Sequence, residues 1–163
     1  MRVCIRWWLI GWMALLMGCQ RSAEQEVHQV PDTPLPMPVY FQPMASAVIA
    51  GTADTLEIVV YDRETWKQWQ ASFPRLRLSS EPDFHQAMLI LIAIPRLQAG
   101  HRITVETVEE TTDSLQVTYT LTEPASDCMV ADVPTVALQV VMARRVEKPV
   151  RFKRHVDYES CDV

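Results

Sequence analysis

After position 45 the chain alternates between apolar and polar residues with a period of two. Leu115, Val117, Tyr119 and Leu121 are separated by Gln116, Thr118 and Thr120, and Ile103, Val105 and Thr107 by Thr104 and Glu106. Val136, Leu138, Val140 and Met142 repeat the pattern, as do Val150 and Phe152. A period of two marks strands with one face buried and one wet. Thr111-Thr112-Asp113-Ser114 is a polar break between two such runs and predicts a hairpin turn. The stretch Met88–Ile94 is apolar without interruption, which predicts a central strand covered on both faces. It is expected to stop at Pro95, which has no N–H to give a ladder.

One segment follows a different period. Trp66, Trp69 and Phe73 fall at i, i+3 and i+7, behind Asp62, whose side chain can cap the first turn, and ahead of Pro74. The spacing predicts an amphipathic helix near 63–73 with its aromatic stripe in the core; an exposed aromatic binding surface is the alternative. The fold expected is mainly β (α+β): a small antiparallel β-sandwich or partly open barrel with one covering helix.

The N-terminus reads differently. Arg2 and Arg6 precede eleven apolar residues from Trp7 to Met17, too few for the roughly 20 that span a bilayer. They fit the apolar region of a secretory signal peptide. Leu16-Met17-Gly18-Cys19 resembles a bacterial lipobox, in which Cys19 accepts the lipid and becomes the first residue of the mature chain. Residues 1–18 are therefore expected as signal peptide, 19–44 as lipidated Cys19 and tether, and 45–163 as one β-rich domain. The tether holds five of the eleven prolines, a density that favours extended polyproline II. Pro31-Asp32-Thr33-Pro34 also has the spacing of a Pro-rich recognition motif. Gln20 after Cys19 is expected to let sorting proceed to the outer membrane, facing the periplasm or the cell surface.

Charge and composition narrow the chemistry. Two of the 15 Lys and Arg, Arg2 and Arg6, lie in the first 18 residues, leaving 13 against 20 acids. Such a chain has no basic face for nucleic acid. Beyond the leader only Gly51 and Gly100 are glycines, so no glycine-rich phosphate loop or dinucleotide fingerprint can form. Neither a Gly-x-Ser-x-Gly elbow nor a His-Glu-x-x-His pair occurs. His28, His85, His101 and His155 are scattered, and no metal or cofactor is expected. His155 and Asp157 would share a face on a strand, but they read as a solvated pair in a tail with Glu159 and Asp162. Cys4 leaves with the leader. Cys128 and Cys161 then remain as an even pair outside the cytoplasm, which points to a structural disulfide, with two separate thiols as the alternative.

Several stretches resemble the PrcB C-terminal domain family. Asp83-Phe84-His85-Gln86-Ala87-Met88-Leu89-Ile90-Leu91 is similar to its opening, and Gln98-Ala99-Gly100-His101-Arg102-Ile103-Thr104-Val105 sits at its Thr-Gly-Gly-Tyr turn. Pro124-Ala125-Ser126-Asp127-Cys128-Met129-Val130 resembles its Pro-Gly-x-x-Cys-Met-Val, and Pro149-Val150-Arg151-Phe152 its closing Pro-Val-x-Phe. The order agrees over residues 83–152. The sequence departs at Ala99-Gly100-His101-Arg102 and after Cys128, where the family's Gln-x-x-Thr-x-Pro-Tyr is absent. The resemblance implies a non-catalytic, lipid-anchored envelope protein that binds a protein partner, as an accessory or stabilising subunit of a protease complex. Arg96, Gln98, Gly100, His101 and Arg102 are the candidate partner-binding loop. A chagasin-like protease inhibitor acting through the 95–102 loop is the alternative, and a small hydrolase using His155 or His101 a remote one.

Overall fold

The computed structural model describes residues 35–161, so the leader, Cys19, the Pro31–Pro34 motif, His28 and Asp162 lie outside the described residues. Eight strands and one helix follow in the order β1 (Met37–Pro38), β2 (Phe41–Ala50), β3 (Leu56–Val60), α1 (Arg63–Ser72), β4 (Ala87–Arg96), β5 (Arg102–Glu110), β6 (Leu115–Pro124), β7 (Thr135–Arg144) and β8 (Val150–Glu159). They make two four-stranded sheets, ordered β1-β5-β6-β8 and β2-β7-β4-β3. The architecture is that of a β-sandwich, and the sheets do not close into a barrel.

Two apolar layers hold it together. Between the sheets, Met88, Ile90, Ile92 and Ile94 of β4 meet the odd-numbered apolar residues of β6 from Leu115 to Leu121. On the far side of the second sheet, Leu89, Leu91 and Ala93 pack with Leu138 and Val140 of β7 beneath Trp66 of α1 and its C-cap residue Phe73. Residues 88–94 are consequently inaccessible to solvent, as their unbroken hydropathy requires. Asp62 caps α1, its carboxylate accepting from the Thr65 backbone N–H at 2.7 Å.

The structure corrects four expectations. β4 continues through Pro95 to Arg96; β3 ends opposite Ala93, so beyond that point β4 has a neighbour on one side only, where a proline does no harm. β7 is not half wet: α1 covers Val136, Leu138 and Val140, and the other sheet covers Ala137, Val141 and Ala143. Residues 37–44, expected as the end of the tether, belong to the domain: 37–38 form β1, 41–44 open β2, and Val39 between the strands and Met44 within β2 supply the burial that residues of a solvated tether lack. Asp157 and Glu159, expected in a tail, belong to β8, which pairs parallel with β6 because β7 lies between them in the other sheet.

Candidate functional site

The sandwich end where β4 and β6 finish and β5 and β7 begin carries the candidate loop. Arg96, the last residue of β4, donates through Nε and Nη2 to Glu123 Oε1 on β6 at 2.8 and 2.7 Å. The turn of residues 97–101 then closes on itself and on its neighbours. Gln98 O accepts from Thr135 Oγ1 at 2.9 Å and from His101 Nδ1 at 3.0 Å; because a carbonyl only accepts, that bond fixes the proton on Nδ1. Ala99 N donates to Ala131 O at 3.0 Å, joining this turn to the 125–134 segment. Gly100 sits at φ +91°, where a side chain is strained, and a Cβ there would crowd Pro124 Cγ at 3.1 Å. Arg102 pairs with Glu159 of β8 at 2.8 Å.

The cysteines brace the same end. Cys128 and Cys161 form a disulfide with their Cα atoms 5.1 Å apart. They meet because β6 and β8 run parallel and in register to Pro124 and Glu159, so both chains leave the sheet at one place. Ser160 Oγ also donates to Asp127 Oδ2 at 2.7 Å.

Arg96, Gln98, His101 and Arg102 therefore each make a structural bond, Gly100 serves the turn through its backbone conformation, and His101 is buried. They are a platform; what stands on it is apolar. Leu97 is 79% exposed, Met129 fully exposed and Val133 46% exposed, on the two turns that the Ala99–Ala131 bond ties together. Between them lies a shallow depression of about 410 Å³ lined by Arg96, Leu97, Gln98, His101, Glu123 and Asp132. Sequence reasoning found the Arg96–Arg102 half of this surface and missed Met129, Val133 and Asp132. The missed signal was the pair Met129-Val130 standing outside any alternation between Pro124 and Pro134. His155, the other histidine considered for hydrolysis, stands on the outer face of β8 beside Thr120, away from His101.

A larger open cleft of about 810 Å³ lies at the start of α1, between Tyr61–Arg63 and Glu81–His85. Its central cation is already engaged. Arg145 Nη1 donates to Tyr61 O and Phe84 O, both at 2.9 Å, while Nε and Nη2 hold Glu147 Oε1 at 3.0 and 2.8 Å. The guanidinium also lies 5.3 Å from the Tyr61 ring centroid. Burial pushes the Tyr61 hydroxyl up in pKa, partly offset by the Arg145 charge, and the hydroxyl donates to Val146 O at 3.1 Å. These bonds tie the β3–α1 junction at Tyr61 and the segment at Phe84 to residues 145–146 just after β7, and four of the five Arg145 donors are taken within the protein.

No curated protein and no solved structure matches the chain. One family does match: residues 91–141, which run from the middle of β4 to β7 and include both turns of the apolar end, fit the family described as PrcB C-terminal, the family the sequence resembles.

Proposed function

We propose that the chain is a lipid-anchored envelope protein whose sandwich is a non-catalytic docking domain. Cys19 carries the lipid, and the turns at 97–101 and 125–134 carry the docking surface, in the accessory-subunit manner the PrcB resemblance implies. The observation behind this reading is the exposure of Leu97, Met129 and Val133 on two mutually bonded, disulfide-braced turns. Apolar side chains held on a rigid platform lose little freedom on docking. Arg96, Glu123 and Asp132 line the depression beside Leu97, so polar groups border this apolar end as they border a protein interface. The partner is an envelope protein with a groove for Leu97 and Met129, a protease subunit being the form the resemblance implies. A braced turn presenting Leu97 also suits insertion into a protease cleft, which keeps the inhibitor reading as the second.

The test uses the full chain in membranes with a photo-crosslinking residue at Leu97. Capture of one partner is expected, with Leu97→Asp and Met129→Asp together weakening its affinity about tenfold or more, since both are the large exposed apolar side chains on which the proposed docking rests. Both sites are exposed, so the melting temperature should hold. Equal capture by the variant removes this reading. Slowing of a model cysteine protease at stoichiometric amounts would put the inhibitor in its place. Cys19→Ala is expected to abolish labelled-palmitate uptake and detergent-dependent membrane fractionation; retention of both defeats the anchor.

A further inference from the structure

The four sheet edges are not alike. β1 is two residues long and ends in Pro38, β2 carries Pro43 and a bulge before Ala45, and β3 has five residues. Shortness, proline and bulges all keep an edge from recruiting another strand. β8 has none of them. It runs ten residues without a proline, and its register with β6 is unbroken from Leu115↔Val150 to Pro124↔Glu159.

The ladder with β6 fixes what the open edge presents. Leu115 N donates to Pro149 O at 2.9 Å, and Ala125 N to Glu159 O at 3.0 Å. Along a parallel strand, residues that bond one neighbour alternate with residues that face away from it. Odd-numbered residues of β8 therefore turn their backbone groups to β6, and Phe152, Arg154, Val156 and Tyr158 turn theirs to the open edge. Side chains alternate too. Val150 and Phe152 pack against the core between the sheets, so Arg151, Lys153, His155, Asp157 and Glu159 stand on the outer face.

That outer row reads basic, basic, neutral, acidic, acidic. Laid antiparallel on a second copy about His155, it sets Arg151 opposite Glu159 and Lys153 opposite Asp157, each twice. The same register faces Phe152 with Tyr158 and Arg154 with Val156, the residues whose backbone groups turn to the open edge; the Tyr158 N–H, which donates to Asp157 Oδ1 at 2.9 Å within one chain, keeps that bond, so about six inter-strand hydrogen bonds form. It also covers Val156 and Tyr158, left 46% and 66% exposed in one chain. Charge pairing, backbone phase and apolar exposure agree on this one register. We propose that two copies of this chain associate through β8, antiparallel about a two-fold axis at His155, joining two four-stranded sheets into one of eight. Such an interface is self-complementary, as two-fold symmetry requires. Glu159, bonded to Arg102 in its own chain, is then shared with Arg151 of the second copy.

The test is a charge swap in the full chain in detergent, read by sedimentation. A dimer is expected at concentrations up to about 100 µM, within the range of a modest interface. Lys153→Glu and Asp157→Lys should each weaken it about tenfold, because each sets like charges opposite one another twice. An equimolar mixture of the two single variants should dimerise again, and so should the double swap. Independently, His155→Cys should give a disulfide-linked dimer, since directly opposed residues of this kind have Cα atoms about 4.5 Å apart. Arg151→Cys on the same face should not, because it meets Glu159. A parent chain that stays monomeric, dimers indifferent to the single swaps, or a loss that neither mixing nor the double swap restores would each overturn the proposal.

Discussion

Tyr119 shows how much one side chain can join. Its ring is fully buried among the odd-numbered residues of β6, and its hydroxyl donates to the Glu57 carboxylate of β3, in the opposite sheet. Burial first, then the bond to Glu57 and its negative charge, raise the hydroxyl pKa, against a smaller opposing effect of Arg154. An unfolded tyrosine titrates near pH 10. The folded chain keeps its proton above that pH, so this contribution to stability is complete below about pH 10 and is lost as the pH rises further. Tyr119→Phe is expected to cost about 1 kcal/mol at pH 8 and to flatten the alkaline loss relative to the parent. Denaturant unfolding at pH 8 and pH 11 compares the two, and parallel pH curves would remove the linkage. The alternation identified Tyr119 as inward-facing, but Glu57 as its partner was not legible, because the pair is 62 positions apart and on different sheets.

At the scale of elements, α1 decides which strands are central. The stripe of Trp66, Trp69 and Phe73 was legible from spacing alone, as was the Asp62 cap. The stripe does not say which strands it covers. Trp66 and Phe73 are buried against β4 and β7, which is why β7 is apolar on both faces. Trp66→Ala is expected to destabilise the domain by roughly 3–5 kcal/mol, the cost of emptying a core aromatic site. Equilibrium denaturation measures it; a loss well below 1 kcal/mol would mean that the helix face is dispensable. Short apolar runs broken by Pro38 and Pro43 misled the reading of residues 37–44, since prolines are equally at home in a tether and on sheet edges.

For the whole molecule, the Cys128–Cys161 disulfide closes a loop of 33 positions across the end of the parallel β6–β8 pair. Loop-closure entropy alone assigns it about 3.7 kcal/mol. Reduction of the folded protein should lower its stability by that order and release the end of β8, and thiol titration before reduction should find neither cysteine free. An unchanged melting temperature would show that the Ala125–Glu159 and Arg102–Glu159 bonds hold the strand without it.

The sequence by itself determined the period-two strands from Ile103 to Phe152, the capped helix, the doubly buried β4, the cysteine pair and the resemblance borne by the 91–141 region. All follow from local signals: hydropathy period, capping chemistry and residue counts act within a few positions. Tertiary structure alone decided the partition into two sheets, the parallel pairing of β8 with β6, the second buried face of β7, and the gathering of Leu97, Met129 and Val133 over one braced end. These depend on which distant strands meet. A period of two records that a face is buried, but not what buries it.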